Sequence, residues 1–256
     1  MNSVSLELGL QLLGEPPYSH AKIAELVALA SAPESVCAAA DLTRLEHLAG
    51  AIAADEAAAL ELAARLEPVR GDRGCWLRAA LLEACGHFEE AAAALHLLRE
   101  KATGEERALA MLASARNLVA AGHAEQAWHP LAEACKASAA PRTLRNAARL
   151  LAQARKKTEA PFRRHCRIAL LSSTTIDFLA PILRAQCFGT GIDAEIYIGP
   201  FNQYEQEIRD PASGLARFSP DAIVIATDWR SLGLGDEEDS PAEITREHAA
   251  RFESLW

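Results

Sequence analysis

Three clusters of polar side chains each follow a short apolar run. Ile168-Ala169-Leu170-Leu171 leads into Ser172-Ser173-Thr174-Thr175. Glu195-Ile196-Tyr197-Ile198 leads into Gly199-Pro200-Phe201-Asn202-Gln203-Tyr204, and Ile223-Val224-Ile225-Ala226 into Thr227-Asp228-Trp229-Arg230. Ser173, Thr174 and Thr175 offer hydroxyls, and Asn202 and Gln203 offer amides. Tyr204 adds a phenol, and Asp228 and Arg230 add opposite charges. Together these eight residues could bind a polar or anionic group. Covalent chemistry is less well supplied. A serine at Ser173 needs a base to become a nucleophile, and His248 is the only histidine after Cys166.

The runs that carry these clusters read as buried strands, aliphatic and β-branched, with helical residues between the first two. This alternation predicts a parallel sheet in the order 2-1-3 with right-handed crossovers. Parallel strands share one carboxyl edge, and ligands of open sheets sit there. The three clusters are therefore expected to converge on one crevice. A helix beginning near Asp177 is expected to aim its N-terminus at the same place, with Asp177 as a possible cap.

The chain has 256 residues, enough for two domains with a core each. Its formal net charge of −9 excludes a general nucleic-acid binder, and no apolar run is long enough to cross a membrane. Six scattered cysteines without a C-x-x-C spacing suit a reducing compartment, and the N-terminus is no signal peptide, so a cytoplasmic location is expected. Basic residues gather locally from Arg142 to Arg167. They read as a solvated helix face and linker, with an acidic partner as the second reading.

Alanine dominates the first 155 positions, which favours closely packed helices. Ser19 is placed to cap a helix running to about Ala30, and Asp41 to cap the next. Gly50, Gly86 and Gly122 then recur 36 residues apart. Gly86-His87-Phe88-Glu89-Glu90-Ala91 parallels Gly122-His123-Ala124-Glu125-Gln126-Ala127, which is the pattern of a left-handed helix end followed by a new helix. The period resembles that of tetratricopeptide-type hairpins, about 34 residues. His87 and His123 are read as turn residues, and Trp76 and Trp128 as packing. A closing helix is expected from Thr143 to about Lys157, burying Leu144, Ala147, Ala148 and Leu151. In the second half, Gly189-Thr190-Gly191 marks a helix end and not a dinucleotide fingerprint.

The run from Tyr197 through Gly199-Pro200-Phe201-Asn202-Gln203-Tyr204-Glu205-Gln206-Glu207-Ile208 to Asp210-Pro211-Ala212-Ser213-Gly214-Leu215 is distinctive. With Ile168–Thr174 and Ala226–Arg230 it resembles the N-terminal region of FkbH-like proteins, in subclass IIIC of the haloacid-dehalogenase-like group. The resemblance implies an SGNH-like fold here, followed in the family by a magnesium-dependent catalytic module. It also implies the loading of a glycerate-derived unit onto an acyl carrier protein in polyketide-type biosynthesis. That module needs an Asp-x-Asp pair, and none occurs in this sequence. The expected Asp-x-x-His of an SGNH hydrolase is absent as well.

The expected fold is therefore α plus α/β. A helical-hairpin, tetratricopeptide-like array occupies 1–160. Residues 161–256 form the N-terminal part of a truncated flavodoxin-like or SGNH-like three-layer domain with a parallel sheet. The expected function is that of a non-catalytic portion of an FkbH-like enzyme, binding an acyl carrier protein or another protein partner. No metal or cofactor is expected in this chain, magnesium belonging to the module it lacks. The alternative is a helical-repeat interaction scaffold whose second domain is degenerate and does no chemistry.

Overall fold

The computed structural model describes residues 39–67 and 72–227, with the isolated positions 24, 242, 245, 246, 249, 250 and 253. The helix expected over Ser19–Ala30 lies outside the described residues, as do Asp228 and Arg230. The chain divides into two compact units, Met1–Pro161 and Phe162–Trp256. Among the described residues no helix is long and apolar enough to cross a membrane.

The first unit contains α1 (Ala39–Ile52), α2 (Glu56–Arg65), α3 (Asp72–Ala84) and α4 (Phe88–His96). These are followed by α5 (Gly104–Ala120), α6 (Trp128–Ala137) and α7 (Pro141–Arg155). Several helices have a local reason to start. The Asp55 carboxylate accepts the Ala58 N–H at 3.1 Å ahead of α2, and Glu89–Glu90 and Glu105–Glu106 occupy the first turns of α4 and α5. Helices α3 and α5 end alike. The His87 N–H donates to Leu82 O at 2.8 Å and the His123 N–H to Leu118 O at 2.9 Å. Gly86 and Gly122 sit at φ +80° and +92°. This is the glycine-dependent helix ending that the spacing predicts.

Two expectations are corrected here. Gly50 lies inside α1 and not in a left-handed turn, so the first member of the glycine series ends no helix. Asp41 also lies inside α1 and does not precede it.

The repeat shows most clearly in polar contacts between successive hairpins. Glu83 accepts from Arg116 Nη2 at 2.9 Å and from Asn117 Nδ2 at 3.0 Å. Glu89 meets His123, Arg99 grips Glu133 with both Nε and Nη2, and Ser138 donates to Glu105 at 2.6 Å. Each pair is 33 or 34 residues apart. Leu62, Leu77, Leu81, Leu95, Leu98 and Met111 fill the apolar core, and Trp76 and Trp128 are buried. Helix α7 packs Leu144, Ala147 and Leu151 against the array, beginning two residues earlier than expected because Pro141 is favoured in a first turn.

The second unit contains β1 (Arg164–Ser172), α8 (Leu179–Gly189), β2 (Ile192–Ile198), α9 (Tyr204–Arg209), α10 (Gly214–Phe218) and β3 (Ala222–Ala226). The strands form a parallel sheet in the order β2-β1-β3. Ile168 stands beside Ile196 on one side and Ala222 on the other. Helix α8 packs against β2. Ala169, Leu171, Tyr204 and Leu215 form a core on one face of the sheet, joined by Tyr197, Phe218, Ile223 and Ile225.

This layer explains much of the distinctive run. The Tyr197 hydroxyl donates to Glu207 Oε2 at 2.8 Å, and the same oxygen accepts the Leu215 N–H at 2.8 Å. One carboxylate therefore ties β2, α9 and α10 together. Asp210 accepts the Ala212 N–H at 2.8 Å, and the Ser213 hydroxyl caps α10 while donating to Glu207 O. A Cβ at Gly214 would lie 2.8 Å from Tyr197 Cζ, so only glycine fits there. Phe218 stacks on Tyr197 at 5.4 Å, and the Arg167 guanidinium lies 4.6 Å over the Phe218 ring.

Candidate functional site

The site lies at the carboxyl edge of the sheet, where β1, β2 and β3 end at Ser172, Ile198 and Ala226. Ser172 joins the three ends. Its hydroxyl donates to Ala226 O at 2.7 Å and accepts the Thr174 N–H at 2.9 Å. Its carbonyl accepts the Asn202 N–H at 2.9 Å. The loops after β1 and β2 are thus held side by side. The loop after β3 continues into residues outside the description.

Between the first two loops opens a cavity of about 320 Å³. Ser172, Thr174, Thr175 and Asp177 line one side, and Ile198, Gly199, Pro200 and Phe201 the other. Phe201 is 66% exposed at the rim. No lysine, arginine or histidine lines the cavity among the described residues. The wall accordingly offers hydroxyls, one carboxylate and an aromatic edge. That set recognises a neutral, hydrogen-bonding group better than a bare anion.

The expected site residues divide in three. Thr174 and Thr175 line the cavity. Asn202 and Gln203 are exposed beside it, Asn202 at φ +55° in the left-handed region that asparagine tolerates. Ser173 and Tyr204 are drawn inward. Ser173 is 6% exposed, with its N–H donating to Ala226 O at 3.3 Å, and it does not line the cavity. Tyr204 is 4% exposed within the core beneath the sheet. Its place in the run reflects packing, because it is the first residue of α9 and faces Ala169 and Leu171.

Asp177 makes no helix cap. The N-cap of α8 is Phe178, without a side-chain hydrogen bond, which leaves Asp177 in the cavity wall. Ser172 and Phe201 were within the polar clusters but not singled out. Ser172 could have been found as the last strand residue, able to bridge to its neighbour. Phe201 could have been found as an aromatic side chain between a proline and a polar pair. Among the described residues no group of three His, Cys, Asp or Glu side chains could hold a metal ion.

The segment that builds both loops and the layer under them also decides the relationship. Residues 167–233 match the family model for the FkbH N-terminal domain. This part of the chain is FkbH-like. No curated protein matches the chain. Among solved structures, the N-terminal part of a Bacteroides fragilis protein, containing a phosphatase domain and complexed with Mg, is similar at 21% identity and a TM-score of 0.32. The similarity covers 36% of this chain and 25% of that one, so it spans a quarter of that chain's length. The FkbH-type segment contains the whole cavity wall from Ser172 to Phe201.

Proposed function

We propose that this chain is a non-catalytic, partner-binding part of an FkbH-like enzyme of glycerate-derived unit loading. In this reading it receives an acyl carrier protein at the carboxyl edge of its second unit. The observation that carries the reading is the cavity inside the FkbH-type segment, walled by hydroxyls and rimmed by Phe201. A neutral amide-bearing arm such as that of phosphopantetheine supplies hydrogen bonds for Thr174, Thr175 and Asp177, and apolar surface for Phe201. The arm's phosphate would stay outside, because no cation among the described residues lines the wall. In the same reading the tetratricopeptide-like hairpins of the first unit bind a protein partner of their own.

The test is titration calorimetry of the purified chain with one carrier protein in its apo and phosphopantetheine-bearing forms. The modified form should bind more tightly. Thr175→Val should weaken that form about fivefold, one hydrogen bond of roughly 1 kcal/mol. Apo and modified forms binding equally, with Thr175→Val and Phe201→Ala both silent, would remove the cavity from the reading.

A scaffold without ligand at the cavity is the second reading, and one observation favours it. The Ser172 hydroxyl is committed to Ala226 O and to the Thr174 N–H, as a purely structural strand-end lock would be. The same titration separates the two readings.

A further inference from the structure

Helix α7 closes the helical unit and, like α6 but unlike α2 to α5, has no acidic residue in its first turn. Helices α2 to α5 each place one or two carboxylates in the first turn. Helix α7 has none there and no acidic residue anywhere in Pro141–Arg155. Instead Arg142 and Arg145 stand near its N-terminus, where the helix dipole disfavours positive charge. At that end Glu105 accepts from Thr143, on the buried side.

Arg142, Arg145, Arg149 and Lys156 are spaced three, four and seven residues apart. At 3.6 residues per turn this puts them on one face, in a stripe about 21 Å long. All four are exposed, on the side of α7 away from Leu144, Ala147 and Leu151. None of the four side chains forms an ion pair or hydrogen bond among the described residues. The stripe therefore serves neither helix stability nor packing, in a chain whose net charge is −9.

We infer that this face of α7 docks an acidic protein helix whose carboxylates match the spacing of the stripe. The match of sign and shape selects this partner class. The stripe is narrow and one helix long, and between its basic residues only Asn146, Ala152, Gln153 and Arg155 are exposed. No large apolar side chain is there to enter a bilayer. An extended polyanion, whether membrane or duplex, would also repel the remainder of a net acidic chain. A single acidic helix meets the stripe alone. The inference is independent of the cavity in the second unit.

The probe is a 21-residue helical peptide carrying glutamates at i, i+3, i+7 and i+14. A control of equal composition has its glutamates on scattered faces. Binding to the full chain is followed by amide shifts at low ionic strength, since four exposed ion pairs of at most ~1 kcal/mol each give an affinity on the order of millimolar. The matched peptide should move α7 amides and bind at least about fivefold more tightly than the control. Arg145→Glu with Arg149→Glu should abolish this, and a peptide with lysines in place of the glutamates at i+3 and i+7 alone should restore binding to that variant. Equal binding of matched and scattered peptides overturns the inference, as does failure of the lysine peptide to rescue a variant of unchanged helicity. Tighter binding of duplex DNA or phosphatidylserine vesicles overturns the partner class.

Discussion

Three glycines at one sequence interval should respond to alanine in opposite directions. Gly122 sits at φ +92° with nothing within 4 Å of an added Cβ, so its cost is one of backbone conformation alone. Holding a residue with a Cβ in that left-handed geometry costs roughly 1–2 kcal/mol. Gly86, at φ +80° and equally open, should behave the same way. Gly50 is helical, exposed and open, so alanine gains helix propensity there, about 0.8–1 kcal/mol. For a chain of this size each kcal/mol moves Tm by about 2–4 °C. Gly122→Ala should thus lower the helical melting transition by about 2–8 °C, and Gly50→Ala should raise it by about 2–4 °C. Circular dichroism at 222 nm reads this, because the helical unit supplies most of the signal. A Gly50→Ala loss as large as that of Gly122→Ala would refute the reasoning. It would mean that all three glycines end helices.

The remaining predictions concern buried groups. Burial first, and then the Glu207 hydrogen bond and charge, push the Tyr197 phenol up from 10.0 to about 12. The folded state then keeps a proton that the unfolded state releases above pH 10, so this contribution to stability should fall as pH rises from about 10 to about 12. Tyr197→Phe should flatten that part of a stability profile measured by urea unfolding. Gly214→Ala should destabilise the second unit by about 1–3 kcal/mol, the range for overpacking, because the added methyl displaces the Tyr197 ring. Hydrogen exchange of the Leu215 amide should report it first. Burial raises the Cys135 thiol to about 12, so iodoacetamide at pH 8.5 should leave Cys135 unlabelled until the chain is denatured, as judged by peptide mass spectrometry. Labelling at the rate of a free thiol would contradict that burial.

The strand order and the meeting of two loops were legible because each rests on a pattern the chain must obey. Aliphatic runs separated by a helix leave little choice but a parallel pairing, and parallel strands end on one side. The cap glycines Gly86 and Gly122 were legible from the residues after them, whereas Gly50 shared their interval without the following Gly-His context. Side-chain direction was not legible. Ser173 and Thr174 are neighbours of similar chemistry, yet one turns into the protein and the other lines the cavity. Nothing in their spacing distinguishes them. Tyr204 was read as a ligand group because it follows Asn202 and Gln203. The start of α9 turned it into the core instead.

The contacts spaced 33 or 34 residues apart also say how this chain can change length. Glu83 answers to Arg116 and Asn117, Glu89 to His123, and Arg99 to Glu133, so these pairs join each hairpin to the next. A deletion of one residue within a helix turns every later side chain by about 100° and separates all these partners at once. Removal or duplication of a whole hairpin, cut from one cap glycine to the next, presents each surviving face with a partner of the same kind. Gains and losses in the helical half should therefore come in whole hairpins. The same freedom does not extend to the second unit, where Glu207 binds three elements through one carboxylate and no interval repeats.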